Sequence, residues 1–85
     1  MKKLNIYKVY LEDVDGSLFS TFVPAESEKD AVKYCEGNGE CIAVKEANQY
    51  KIYVDTLAET LSKNGWGRSE IDIITRTLEL SGVSQ

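Results

Sequence analysis

Residues 4–24, LNIYKVYLEDVDGSLFSTFVP, contain two apolar stretches separated by an acidic segment that ends in glycine. Residues 4–11 and 17–24 alternate and are rich in β-branched and aromatic residues, which favours two β-strands. Asp15-Gly16 between them is typical of a two-residue hairpin turn of type I′, in which both central residues need positive φ. The sequence therefore predicts a β-hairpin here.

A two-residue turn also sets the pairing of the two strands, because each residue then has a fixed partner in the antiparallel pair. Counting outward from Asp15-Gly16 places Val14 opposite Ser17 and Val9 opposite Phe22. Both faces of the predicted sheet are then apolar. One face carries Tyr7, Val9, Leu11, Leu18 and Phe22, and the other carries Ile6, Lys8, Tyr10, Phe19, Thr21 and Val23.

The rest of the chain predicts three helices and one or two further strands. Ser27-Glu-Lys-Asp30 is typical of a helix start, and this first helix should run to about Glu36. Residues 41–46 predict a third strand and residues 50–54 a short fourth. Two C-terminal helices should begin near Thr56 and Ser69 and end at Gly65 and Gly82, with Trp66 packed back on Leu61 and Val83 on Leu78.

These elements predict one α+β domain over residues 1–85, because a chain of 85 residues has room for one modest core. Residues 1–54 should form a ββαβ unit with a three- or four-stranded, mainly antiparallel sheet. Residues 55–85 should form a helical hairpin packed on it. A right-handed crossover through the first helix places the third strand beside the first, so the expected strand order is 2-1-3.

Composition argues against several classes of function. The net charge is −4 and the pI about 4.7, which opposes binding to nucleic acid or to an anionic membrane. The chain has no histidine, which is the usual general base and metal ligand, and no serine or threonine has a visible base. We therefore expect neither an enzyme nor a cofactor, and the start MKKLN, with no apolar segment behind it, predicts a cytoplasmic location.

Cys35 and Cys41, in the stretch YCEGNGECI, are the residues that most resemble a reactive site. The alternation of the third strand predicts that Ile42 and Val44 face the first helix, so Cys41 should point away from Cys35. That arrangement favours two structural thiols over a disulfide. Two cysteines without histidine also fall short of the four ligands of a zinc site, so no metal is expected.

Two other patterns have simpler explanations. Asp13-Val-Asp15-Gly16 resembles a calcium loop, but the remaining ligand positions are occupied by apolar residues, and a hairpin turn explains the segment better. Residues 57–80 have the outline of a helix-turn-helix. Their last helix is acidic, which is wrong for a helix that faces phosphates.

The strand–turn–strand segment followed by VPAESEKDA and a third strand is similar to small ββαβ proteins of bacterial phages and conjugative elements. The C-terminal stretch NGWGRSEIDIITRTLELSGV resembles the ends of short uncharacterised proteins from the same setting. The similarity rests on patterning and carries no site residue. It implies a small accessory protein that acts by binding a partner, including a host factor.

Two binding hypotheses follow. In the first, a sheet face bearing Ile6, Tyr10, Phe19 and Val23 binds a protein partner, the simplest being a second copy in a homodimer. This requires that helices cover only the opposite face; helices divided between both faces are the alternative. In the second, Tyr10, Trp66, Arg68 and Arg76 bind a small molecule or a nucleotide.

Overall fold

The computed structural model describes residues 3–48 and 50–80, and these form an α+β fold, as predicted. The described residues form three helices and four strands. Two 3₁₀ segments, at Glu36–Asn38 and Val54–Thr56, lie between some of these elements. The strands are β1 (Lys3–Glu12), β2 (Leu18–Ala25), β3 (Glu40–Glu46) and β4 (Ile52–Tyr53), and the helices are α1 (Glu28–Cys35), α2 (Leu57–Lys63) and α3 (Arg68–Leu80).

The sheet has the strand order β2-β1-β3, and every strand pair is antiparallel. This confirms the predicted order 2-1-3. The predicted fourth strand is present but only two residues long, and it pairs with the start of β1, where Leu4 lies opposite Ile52. β1 is therefore the central strand, with β2 along one edge and β3 along the other.

The predicted pairing of β1 with β2 is wrong by one residue. Val9 lies opposite Thr21 rather than Phe22, and Lys8 lies opposite Phe22. A shift of one residue moves every side chain of a strand to the other face of the sheet. Phe19, Thr21 and Val23 therefore share a face with Tyr7, Val9 and Leu11, whereas Leu18, Ser20 and Phe22 share a face with Ile6, Lys8 and Tyr10.

The turn explains the shift. No described residue other than glycine has positive φ, so Asp15 does not adopt the conformation that a type I′ turn requires, and Gly16 alone does, at φ 86°. The Gly16 N–H donates to the Asp13 carbonyl at 3.0 Å, and the Asp13 N–H donates to the Ser17 carbonyl at 2.8 Å. The loop thus contains three residues ending in a left-handed glycine, one more than the predicted turn.

Helix α1 covers one face of the sheet, which we call the α1 face. Its start is capped as predicted, because the Ser27 hydroxyl accepts from the Asp30 N–H at 3.2 Å. The helix packs Ala31 and Cys35 against buried side chains of β1 and β2 and half-buried side chains of β3. The buried members of this cluster are Tyr7, Val9, Leu11, Val23, Ala25, Ala31 and Cys35, and Tyr34, Cys41 and Val44 pack against it.

Helices α2 and α3, with β4, cover part of the opposite face, which we call the α2–α3 face. Leu4 and Ile6 of β1 are fully buried there. The buried cluster consists of Leu4, Ile6, Ile52, Val54, Leu57, Leu61, Ile74 and Leu78, with Phe22, Trp66 and Ile71 packed against it. The helices are thus divided between the two faces, which is the alternative that the sequence left open.

The end of α2 has the predicted geometry. Gly65 is left-handed at φ 88°, the Trp66 N–H donates to the Leu61 carbonyl at 3.1 Å, and the Gly65 N–H donates to the Ser62 carbonyl at 3.3 Å. These two hydrogen bonds define a Schellman motif. They turn Trp66 back onto the cluster that contains Leu61, where its ring meets the Phe22 ring edge-on at a centroid distance of 5.2 Å.

The helix starts differ from the prediction. The Thr56 side chain makes no capping hydrogen bond at the start of α2. α3 begins before Ser69, because the Glu70 carboxylate accepts from the Gly67 N–H at 3.1 Å and the Gly67 carbonyl accepts from the Ile71 N–H at 3.0 Å. The predicted helix end at Gly82 and the contact of Val83 with Leu78 lie outside the described residues.

Gly39, between the 3₁₀ segment Glu36–Asn38 and β3, is expected to tolerate no side chain. Its φ is 149°, and a Cβ at this position would lie 2.8 Å from the Glu12 carbonyl oxygen. Gly39→Ala should therefore lower the free energy of unfolding by at least about 1–3 kcal/mol, measured by urea denaturation.

Gly37→Ala is the matched control for this prediction, because a Cβ at Gly37 would meet nothing within 4 Å. It should leave stability unchanged or raise it by up to about 1 kcal/mol. Equal stability of the two variants would contradict the described path of the chain into β3.

The hairpin turn should depend on pH through Asp15. Hydrogen bonds from the backbone N–H and the side chain of Ser17 lower the pKa of this carboxyl group. Because the folded-state pKa lies below the unfolded one, the stabilising contribution is fully present above the unfolded value and is lost as pH falls through the folded value. A carbon-detected NMR titration should show the lowered pKa, and Ser17→Ala should raise it part of the way. Titration of Asp15 as in an unstructured peptide would contradict the turn.

Candidate functional site

An apolar groove lies on the half of the sheet that is farthest from the buried Leu4 and Ile6. We call it the open-sheet groove. It has a volume of about 510 Å³ and draws its lining from three strands. The lining residues are Tyr10, Leu11, Leu18, Phe19, Ser20, Ile42, Ala43 and Lys45.

The groove exposes large apolar side chains that a sheet would ordinarily bury. Leu18 is 70% exposed, Ile42 is 56% exposed and Phe19 is 41% exposed. The clusters packed under α1, α2 and α3 include none of these three residues. Leu18 and Ile42 therefore both face solvent around the groove, whereas Phe19, which pairs with Leu11, exposes its side chain on the α1 face at the same end of the sheet.

Ile42 is exposed because β3 contains a bulge. Leu11 of β1 lies opposite Cys41, and its neighbour Tyr10 lies opposite Ala43, so Ile42 is the extra residue. At a bulge two residues of one strand oppose a single residue of its partner. Ile42 and Ala43 accordingly both line the open-sheet groove beside Tyr10.

Charges of opposite sign mark the two ends of β3 on this face. Lys8 lies directly opposite Lys45, and Glu12 lies directly opposite Glu40. The ammonium group of Lys8 is placed 5.3 Å from the centre of the Tyr10 ring and 5.7 Å from that of Phe22. The groove thus has a positive end beside aromatic rings and a negative end near the hairpin turn.

The structure separates the four residues of the first binding hypothesis. Ile6 and Tyr10 lie on the α2–α3 face, and Phe19 and Val23 lie on the α1 face. Ile6 and Val23 are buried in two different clusters. The predicted single face is therefore wrong, because the loop has one more residue than expected. Tyr10 and Phe19 alone line the open-sheet groove.

The residues of the second hypothesis are also dispersed. Tyr10 lines the open-sheet groove, whereas Trp66 and Arg68 line a separate cavity of about 290 Å³ with residues of α2 and α3. Arg76 lines neither of these two cavities. No single site therefore brings these four side chains together.

The two thiols lie closer than predicted. Cys35 is buried in the cluster under α1, and Cys41 packs against that same cluster instead of pointing through the other face. The bulge is the reason, because it lets Cys41 and Val44 both reach the α1 face although they are three positions apart. Both cysteines are free thiols, and burial, followed by the proximity of Cys41, raises the pKa of Cys35.

Cys35→Ser should destabilise the protein more than Cys41→Ser. The Cys35 side chain is fully buried, so a hydroxyl there loses its water without gaining a partner, at a cost of about 1–3 kcal/mol. Cys41 is half-buried. Urea denaturation of both variants measures the difference. Equal stabilities, or an intact mass lower by two hydrogens that reductant restores, would contradict the placement of these thiols.

Within residues 3–48 and 50–80, no group of three or more Cys, Asp or Glu side chains is arranged to hold a metal ion. In the same part of the chain, no helix is long and apolar enough to cross a membrane. No family model matches this chain, and no curated protein or solved structure matches it either.

Two lining residues, Tyr10 and Phe19, are predicted by the sequence, whereas Leu18 and Ile42 are not. The predicted turn is one residue too short and so places Leu18 on the face beneath a helix. Strict alternation leaves no place for a bulge and so places Ile42 in the core. Glu40 and Lys45 are visible in the sequence ECIAVKE. Only the structure shows that each lies opposite a like charge of β1.

Proposed function

We propose that this chain is a small non-enzymatic binding protein that acts through protein–protein contacts at the open-sheet groove. The observation that supports this is the exposure of Leu18 and Ile42 around one groove. Contiguous apolar surface rimmed by polar groups is typical of a partner site. Lys45 and Ser20 provide polar groups on the lining of this groove.

The construction of the groove supports a protein partner over a compact ligand. It is a shallow, open surface built on strands, and it borders the edge strand β3. A protein segment can cover such a surface and also pair with the strand edge, which combines apolar contact with main-chain hydrogen bonds. The charges at the two ends of β3 would then fix the direction in which the segment lies.

The resemblance of the sequence to small phage and conjugative-element proteins supports an accessory role for this binding, carried out in the cytoplasm of a bacterium. In that setting the partner is a protein of the element or a host factor. The net charge of −4 disfavours binding to nucleic acid and therefore agrees with a protein partner.

A small-molecule or nucleotide binder is the second candidate. The volume of the open-sheet groove, about 510 Å³, falls within the range of ordinary ligand pockets, roughly 300–1,000 Å³. A thermal-shift screen separates the two proposals, because a ligand that binds only the folded chain raises its melting temperature with concentration. Concentration-dependent stabilisation by nucleotides would favour this candidate.

Leu18→Asp should abolish partner binding while leaving the fold intact. Leu18 is 70% exposed, so a carboxylate there remains hydrated in the free chain but would be desolvated under a bound partner. The measurement is capture of proteins from a bacterial lysate by the immobilised chain, with circular dichroism as the check on folding.

Ile73→Asp is the matched control, because Ile73 is a large apolar residue of α3 that is 44% exposed and does not line the groove. It should bind as the wild type does. Capture that survives Leu18→Asp, or that is lost equally with Ile73→Asp, would contradict a partner site at the groove.

A further inference from the structure

We infer that the edge of β3 binds β3 of a second copy of this chain, antiparallel and with Glu40 opposite Lys45 of the second copy. The inference rests on the proposed function, because β3 borders the open-sheet groove and contributes Ile42, Ala43 and Lys45 to it. The inference names one partner of that surface, a second copy of this chain.

The outer edge of β3 is open. β3 lies at the end of the strand order, and among the described residues its only strand partner is β1. The Ala47 N–H donates to the Ile6 carbonyl at 2.7 Å, so Ala47 directs its backbone groups toward β1. By the alternation of an antiparallel ladder, Lys45 does the same, whereas Val44 and Glu46 direct their N–H and C=O groups outward, where a further strand can pair with them.

Glu40 and Lys45 of β3 have no oppositely charged counterpart among the described residues. Lys45 faces Lys8, and Glu40 faces Glu12, and like charges directly opposite each other destabilise a strand pair. Within the described part of the chain, no ion pair joins any of these four side chains to an opposite charge. On the α2–α3 face the surplus is therefore positive at Lys45 and negative at Glu40, while Glu46, which pairs with Tyr7, lies on the α1 face.

A second β3 running antiparallel supplies both missing counterparts at once. With Glu40 opposite Lys45 of the second copy, its Lys45 necessarily lies opposite Glu40 of the first. An excess of each sign at opposite ends of one strand is therefore self-complementary, which is what a two-fold interface requires. A foreign antiparallel strand would need the same order of charges, acidic and then basic, to match it equally well.

The bulge makes this register consistent on both faces of the sheet. It places Cys41 opposite Val44, and both of these residues pack toward the α1 face. It also places Ile42 opposite Ala43, and both line the open-sheet groove. In a regular strand, residues at such odd separations would point to opposite faces and could not be paired across a two-fold axis. The bulge removes that conflict.

The expected dimer is weak, because a seven-residue strand edge buries less surface than a standard protein interface. Its formation would join the two open-sheet grooves into one continuous apolar surface across the dimer. Binding of a further partner by that surface would then be stronger for the dimer than for the monomer.

Exchange of the two charges tests the inference. Glu40→Lys and Lys45→Glu should each weaken the dimer on the order of tenfold in sedimentation equilibrium, because each variant replaces two attractive contacts with two repulsive ones. The double variant should restore the wild-type dissociation constant. Neither single change should destabilise the monomer, since each one converts a like-charge pair with β1 into an opposite-charge pair.

Net charge cannot produce this pattern, because Glu40→Lys makes the chain less acidic and Lys45→Glu makes it more acidic. A wild type that stays monomeric at millimolar concentration would overturn the inference and would mean that the bulge and Lys45 keep the edge unpaired. So would a dimer that the single exchanges leave unchanged. Either result is compatible with capture of another protein that Leu18→Asp abolishes, so the two proposals fail separately.

Discussion

The left-handed conformation of Gly16 determines how the two first strands meet. Because only this residue of the loop has positive φ, the turn takes three residues, and each side chain of β2 is assigned to its face accordingly. Val23 reaches the cluster under α1, and Phe22 reaches Trp66 on the opposite side. A turn shorter by one residue would have exchanged these two side chains and left each helix packed against the wrong set of groups.

The central strand, β1, is buried on both of its faces. Leu4 and Ile6 are buried on one face of β1 and Val9 and Leu11 on the other, so this strand contributes to both apolar clusters. The three helices of residues 3–48 and 50–80 are too few to cover both faces completely. α1 covers one face, whereas α2 and α3 pack mainly on the half of the other face that holds Leu4 and Ile6, and Thr77 of α3 also lines a cavity with Phe19 and Thr21 of β2. The exposure of Leu18 and Ile42 follows from that shortage of covering elements.

Much of the fold could be predicted from the sequence, because its signals are local. The cap at Ser27, the left-handed Gly65 and the contact of Trp66 with the cluster of Leu61 each depend on a few neighbouring residues. The strand order followed from the handedness of one crossover. These features do not depend on the exact pairing of distant strands.

The candidate site could not be predicted in the same way. Asp-Gly is compatible with turns of different lengths, and the choice between them reverses the faces of a whole strand. The bulge at Ile42 arises from the fit of β3 against Tyr10 and Leu11, so it has no signature in β3 alone. The like-charge pairs became visible only when Lys45 and Glu40 had been placed beside their neighbours in β1. The bulge and the like-charge pairs concern residues about thirty positions apart in the chain.

The edge-on contact of Trp66 with Phe22 gives the molecule a spectroscopic probe of one half of its interior. The chain has a single tryptophan, and it packs against the cluster under α2 and α3, not against the one under α1. Intrinsic fluorescence therefore reports the docking of the helical hairpin onto the sheet. Tyr7 and Tyr34, two of the five tyrosines, belong to the other cluster, so they add a contribution from the attachment of α1 to the near-ultraviolet dichroism. Comparing the two signals during unfolding would show whether α1 and the α2–α3 hairpin separate from β1 in one step or one after the other.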